Sequence, residues 1–142
     1  MEDYVTFDTA MSARDNEYRE GTGAFYKLTE EENIVHQGYS NNLVFRDLRV
    51  SAPTQTELQK WLRKNYGIEV LVTRPYNFSG QPFWSFEIYN DGIILNIINK
   101  VEFKTYEESL EVGLRFGLNL IHNTLNYGIY IKRNESYIQL YS

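Results

Sequence analysis

Apolar residues along this chain change their spacing several times, and each change marks a boundary between elements. Phe7, Ala10 and Met11 recur at helical intervals behind Thr6, which predicts a short helix over Phe7 to Asn16, before Gly21 and Gly23 break the pattern. Ala24-Phe25-Tyr26-Lys27-Leu28 and Ile34-Val35-His36-Gln37 then read as two strands joined around Glu30 to Asn33. The stretch from Gly38 to Ala52 holds no sustained period and is expected to connect. Leu58, Trp61, Leu62 and Tyr66 fall at i, i+3, i+4 and i+8, a helical stripe closed by Gly67, so a helix is predicted over Gln55 to Tyr66.

From Ile68 the period drops to two. Ile68, Val70 and Val72 alternate with Glu69, Leu71 and Thr73, while Trp84, Phe86 and Ile88 alternate with Ser85, Glu87 and Tyr89. Asn90-Asp91-Gly92 tolerates positive φ and turns this strand back into Ile93 to Phe103 as an antiparallel partner. Leu110, Leu114, Leu118, Ile121 and Leu125, widened by Phe116 and Leu120, restore the helical stripe over Tyr106 to Leu125. Tyr127 to Ile131 and Tyr137 to Leu140 read as a terminal hairpin around Asn134-Glu135-Ser136.

Two matching helix starts bracket the central strands. Thr54-Gln55-Thr56-Glu57 and Thr105-Tyr106-Glu107-Glu108 each set a capping Thr three residues before a Glu that can reach back. The expected fold class is α+β, an antiparallel sheet with helices mainly on one face, in the order α-β-β-α-β-β-β-α followed by the C-terminal hairpin. At 142 residues the chain suits one domain, with segments 1–51, 52–126 and 127–142 as N-terminal part, core and hairpin. Gly113 and Gly117 lie one turn apart in the last helix, each costing about 1 kcal/mol relative to Ala. Close approach of another backbone, or of a large aromatic such as Trp61, explains them better in water than helix dimerisation does.

Composition narrows the function classes. A net charge of -5 opposes binding to nucleic acid or to an anionic membrane surface. Cysteine is absent, which excludes thiolate metal sites and suits a reducing compartment, and Met1 to Tyr4 lacks the features of a secretory signal, so cytoplasm is expected. His36 and His122 are the only histidines, and His122 has no carboxylate at i±3 or i±4. Nucleophile elbow, phosphate loop and zinc spacing are all missing, so no catalytic, cofactor-binding or metal-binding residues are assigned, and no cofactor.

The aromatic excess, 12 Tyr and 8 Phe, directs attention to recognition. Arg74 to Phe83 places Tyr76 and Phe78 between two prolines, either as anchors for a partner or folded back over the sheet edge. Phe83 and Tyr89 fall on the sheet face opposite Trp84 and Phe86, a binding or dimer surface if nothing covers it. Tyr76, Phe78, Phe83 and Tyr89 are therefore the candidate partner-binding residues, with a protein as the expected partner and self-association as the second possibility.

Met1-Glu2-Asp3-Tyr4-Val5-Thr6-Phe7-Asp8-Thr9-Ala10, Ala52-Pro53-Thr54, Trp61-Leu62-Arg63-Lys64, Tyr66-Gly67-Ile68 and the run Phe103 to Glu111 resemble, in order along the chain, the blocks of a family of small uncharacterised proteins from gut Bacteroidales and their phages and prophages. This resemblance implies a source and no activity. The helix, three strands, helix order is also similar to double-stranded RNA-binding domains and to HicB-type antitoxin domains. In the RNA-binding family lysines open the last helix, whereas Glu107, Glu108 and Glu111 do so here and would repel phosphate. The expected function is a non-catalytic protein-binding module, with a nucleic-acid-binding or antitoxin-like regulatory domain as the alternative.

Overall fold

The structure is a computed structural model describing residues 3–45, 47–95 and 101–131, with side chains described to residue 121. Among these residues the elements run α1 (Phe7–Asp15), β1 (Thr22–Lys27), β2 (Val35–Ser40), β3 (Arg49–Ser51), α2 (Gln55–Tyr66), β4 (Ile68–Thr73), β5 (Ser85–Asn90), β6 (Ile93–Leu95) and α3 (Tyr106–Ile131). The class is α+β. The strands form two three-stranded antiparallel sheets, ordered β2-β1-β3 and β4-β5-β6, in place of the single sheet expected. The extra strand is β3, in the stretch expected to connect; by pairing with the free side of β1 it gives that strand a neighbour on each edge. The chain divides into two compact units, Met1–Leu58 and Gln59–Ser142.

In the first unit the Thr6 hydroxyl caps α1 by accepting from the Thr9 N–H, and the helix buries Thr9, Ala10 and Ala13. Phe7 meets Tyr26 of β1 edge-to-face at 5.6 Å, and the Tyr26 hydroxyl donates to the Val5 carbonyl at 2.6 Å. α1 ends with Glu17 in the left-handed region at φ 65°, and the Tyr18 N–H donates back to the Ala13 carbonyl. Buried Asn42 ties the following segments together: its Nδ2 donates to the Tyr18 carbonyl and its Oδ1 accepts from the Ser51 N–H, both at 2.9 Å. That bond holds β3 in place. At the start of α2 the Thr54 hydroxyl accepts from the Glu57 N–H while the Glu57 carboxylate accepts from the Thr54 N–H, the reciprocal arrangement read from the sequence. Gly67 ends this helix at φ 66°.

In the second unit α3 lays Leu110, Leu114, Leu118 and Ile121 against β4 and β5, whose buried residues include Ile68, Val70, Phe86 and Ile88. Each such side chain contributes about 1.5–3 kcal/mol on burial. Gly113 and Gly117 account for the close fit. A Cβ on Gly113 would stand 2.6 Å from Val70 Cγ1, and one on Gly117 would stand 3.1 Å from Leu62 Cδ1. The element these glycines admit is therefore the β4–β5 surface with Leu62; of the neighbours the sequence suggested, a large aromatic is present, but it is Phe86 and not Trp61. Thr105 caps α3 through the Glu108 N–H, but the Glu108 carboxylate accepts from Lys104, one residue before the cap.

The C-terminal hairpin requires correction over its first strand: α3 continues through Tyr127 to Ile131. The spacing Leu118, Ile121, Leu125, Ile129 stays helical, and it outweighs the β propensity of the local Tyr and Ile residues. The proposed second strand, Tyr137 to Leu140, lies outside the described residues. So does part of the predicted Ile93 to Phe103 strand, which is observed as β6 and as a separate pairing of Phe103 with Trp84.

Candidate functional site

The segment read as a loop, Arg74 to Phe83, is a continuation of the β4–β5 hairpin. Thr73 pairs with Ser85 and Tyr76 with Pro82, three residues further on in each strand, so the register carries through without a slip. The Phe83 N–H donates to the Pro75 carbonyl at 3.0 Å and the Asn77 N–H to the Gln81 carbonyl at 2.9 Å. Pro75 and Pro82 suggested a break because proline cannot donate to a ladder. Pro82 sits opposite Tyr76 at a pair that exchanges no hydrogen bond, so its missing N–H costs nothing there; Pro75 still supplies its carbonyl.

The tip is closed by three residues. The Gly80 N–H donates to the Asn77 carbonyl at 2.9 Å with Gly80 at φ 76°, the arrangement of a turn followed by a left-handed residue that closes three-residue hairpins. Asn77 Oδ1 accepts from the N–H groups of both Ser79 and Gln81 at 3.0 Å. This turn geometry carries Phe78 away from the body: its ring is fully exposed, and Tyr76 is 72% exposed. Of the two readings open at the sequence level, the folded-back one is not what the structure shows.

At the base of the arm the Arg74 guanidinium lies 4.2 Å over the Trp84 ring, which meets Tyr106 edge-to-face at 5.6 Å. The backbones of Trp84 and Phe103 exchange hydrogen bonds of 3.2 and 2.8 Å. The four residues singled out in the sequence are only partly brought together. Tyr76 and Phe78 share the tip, and half-buried Phe83 lies on the other face of the arm. Tyr89 is paired with Glu69 roughly 20 Å further along β5, and its hydroxyl donates to Glu87 at 2.8 Å. That hydrogen bond is the main cause of a raised Tyr89 pKa, with desolvation and the Glu87 charge adding to it. Arg74, Asn77 and Gly80 were missed, although Asn at the first and Gly at the fourth position of Asn77-Phe78-Ser79-Gly80 is a turn signature.

Two other regions carry polar chemistry. A groove of about 440 Å³ beside the end of α1 is lined by Arg14, Glu17, Tyr18, Arg19, Asn42 and Asp47, among others. Arg19 is paired with Glu17 at 3.2 Å, and Asn42 is spent on the Tyr18 carbonyl and the Ser51 N–H. On the first sheet, His36 stacks on Phe25 and contacts Glu30 at 3.0 Å, while the Arg49 guanidinium lies between the Phe25 and Phe45 rings at 3.9 and 4.2 Å. The hydrogen bond to His36 is the main reason the Glu30 carboxyl is held below its ordinary pKa. Among the described residues no group of three His, Cys, Asp or Glu side chains is placed to hold a metal, and no helix is long and apolar enough to cross a membrane.

No protein-family model, curated protein or solved structure matches this chain.

Proposed function

We propose that the chain is a small non-catalytic protein-binding module of phage or prophage type, acting in the cytoplasm, whose contact element is the arm of residues 74–83. The observation that carries this reading is Phe78, a fully exposed aromatic ring held at the tip of a hydrogen-bonded hairpin. A solvated Phe forgoes about 1.5–3 kcal/mol of burial, and a rigid turn gives up little entropy on docking, the two properties of an interface anchor. The net charge of -5 and the resemblance to phage and prophage proteins support a protein ligand over a nucleic acid.

The test is a photoreactive amino acid at position 78 and, in a control, at exposed Gly23 on β1. Irradiated in bacterial extract, the position-78 protein should capture one recurrent protein that excess unmodified chain displaces. Identical capture patterns from the two positions would remove the arm from the reading.

A further inference from the structure

We infer that the arm's partner receives Phe78 in an apolar, uncharged and water-free protein pocket, an inference that rests on the arm being the contact element. The backbone of the tip carries the argument. Between Pro75 and Phe83, the N–H groups of Asn77, Ser79, Gly80, Gln81 and Phe83 are bonded within the arm, the two prolines have none to satisfy, and only those of Tyr76 and Phe78 are left to solvent or to a partner. Moving such a backbone out of water therefore forfeits few hydrogen bonds with solvent, whereas an ordinary loop tip pays for each donor it strips. Asn77 Oδ1 takes two of these five bonds and points its capacity inward to its own turn.

Charge points the same way. Charged residues make up 23% of the chain, yet Pro75 to Phe83 contains none, and Arg74 behind it is engaged by the Trp84 ring. An arm without charge gains nothing from a charged acceptor and would leave the acceptor's charge buried and unpaired. A lipid bilayer is also apolar, but one Phe and one Tyr without a flanking basic cluster, on a chain of net charge -5, give weaker adsorption than stable membrane anchoring needs. A protein pocket fits better, because it can also contact Tyr76 at the rim and the Arg74–Trp84–Tyr106 surface at the base.

The experiment pans a displayed library of a folded three-helix scaffold with randomised surface positions against the immobilised full chain. Retained binders are measured against wild type, Phe78→Ala and Asn77→Ala, and pelleting with phosphatidylcholine vesicles is run in parallel. Expected are binders whose randomised positions are apolar and uncharged, and whose affinity changes less than about threefold between low and high salt. Phe78→Ala should weaken them at least about 30-fold. Asn77→Ala keeps the ring but loosens its turn, and should weaken them by about tenfold. Amide spectra outside residues 74–83 should match wild type in both variants, since neither side chain belongs to the core. Phe78-dependent binders that are charged and salt-sensitive would overturn this inference and leave the module reading intact. Binders indifferent to Phe78, or no binders, would overturn both. Phe78-dependent pelleting without protein binders would replace the pocket with a bilayer.

Discussion

Gly113→Ala sets two opposed effects against each other, and the structure says which wins. Alanine in place of glycine inside a helix gains about 1 kcal/mol. The new Cβ, however, would stand 2.6 Å from Val70 Cγ1 and 3.1 Å from Phe86 Cγ, about 1 Å short of ordinary van der Waals separation at the closer contact. Val70 is fully buried in β4 and β-branched, so its χ1 is stiff and the methyl cannot swing aside. Relief then requires α3 to lift off the sheet, an overpacking cost of typically 1–3 kcal/mol. The net expectation is a loss of up to roughly 2 kcal/mol. Both tryptophans, Trp61 and Trp84, belong to the unit Gln59–Ser142, so fluorescence-detected urea unfolding reports on the unit concerned.

Two companion variants make the reasoning specific to this contact. Gly117→Ala meets the terminal methyl of Leu62 at 3.1 Å and the Ile68 and Val70 methyls at an ordinary 3.4 Å, so its helix gain should offset its packing cost to within about 0.5 kcal/mol. Val70→Ala alone should cost about 2 kcal/mol in lost burial and cavity formation. Combined with Gly113→Ala it should cost at least 1 kcal/mol less than the sum of the two single changes. Stabilisation by Gly113→Ala, or strict additivity with Val70→Ala, would refute the claim that the helix and sheet meet through this glycine.

Thr54→Ala removes one half of the α2 capping box and should cost about 1 kcal/mol in denaturant unfolding, with faster exchange of the Glu57 amide. Asn42→Ala strands the Tyr18 carbonyl and the Ser51 N–H in a buried site and should cost roughly 2–4 kcal/mol, detected by circular dichroism because the first unit has no tryptophan. Burial, helped by the Glu57 and Glu20 charges, pushes the Tyr18 phenol far above its ordinary 10.0. A raised folded pKa means the native state holds its proton longer than the unfolded chain does. Stability should therefore be undiminished by this group below about pH 10 and should fall as pH rises beyond it, with a shallower fall in Tyr18→Phe.

Legibility in the sequence followed the number of independent signals at each boundary. α2 was readable to the residue because a capping box, an apolar stripe and a terminal glycine agree, and Gly67 does adopt positive φ. β3 was invisible because three residues have too little period, and its position depends on Asn42, nine residues away from Ser51. The end of α3 was misread because Tyr127, Ile129, Tyr130 and Ile131 favour strands locally while their spacing continues a helix. At the candidate site the exposed aromatics were legible, and the scaffold beneath them was not. Two prolines masked a ladder that uses the Pro75 carbonyl and the backbone groups of Asn77, Gln81 and Phe83.

The arm separates the residues that hold it from the residues that meet solvent. Asn77 and Gly80 fix the turn and the backbone fixes the register, whereas Tyr76, Phe78 and Ser79 project outward with their side chains unneeded by the fold. Contact residues on such a scaffold can be exchanged without a folding penalty. A lineage following a changing partner could rewrite positions 76, 78 and 79 while the sheet, the α3 packing and the turn stayed as they are, so that recognition diverges faster than structure.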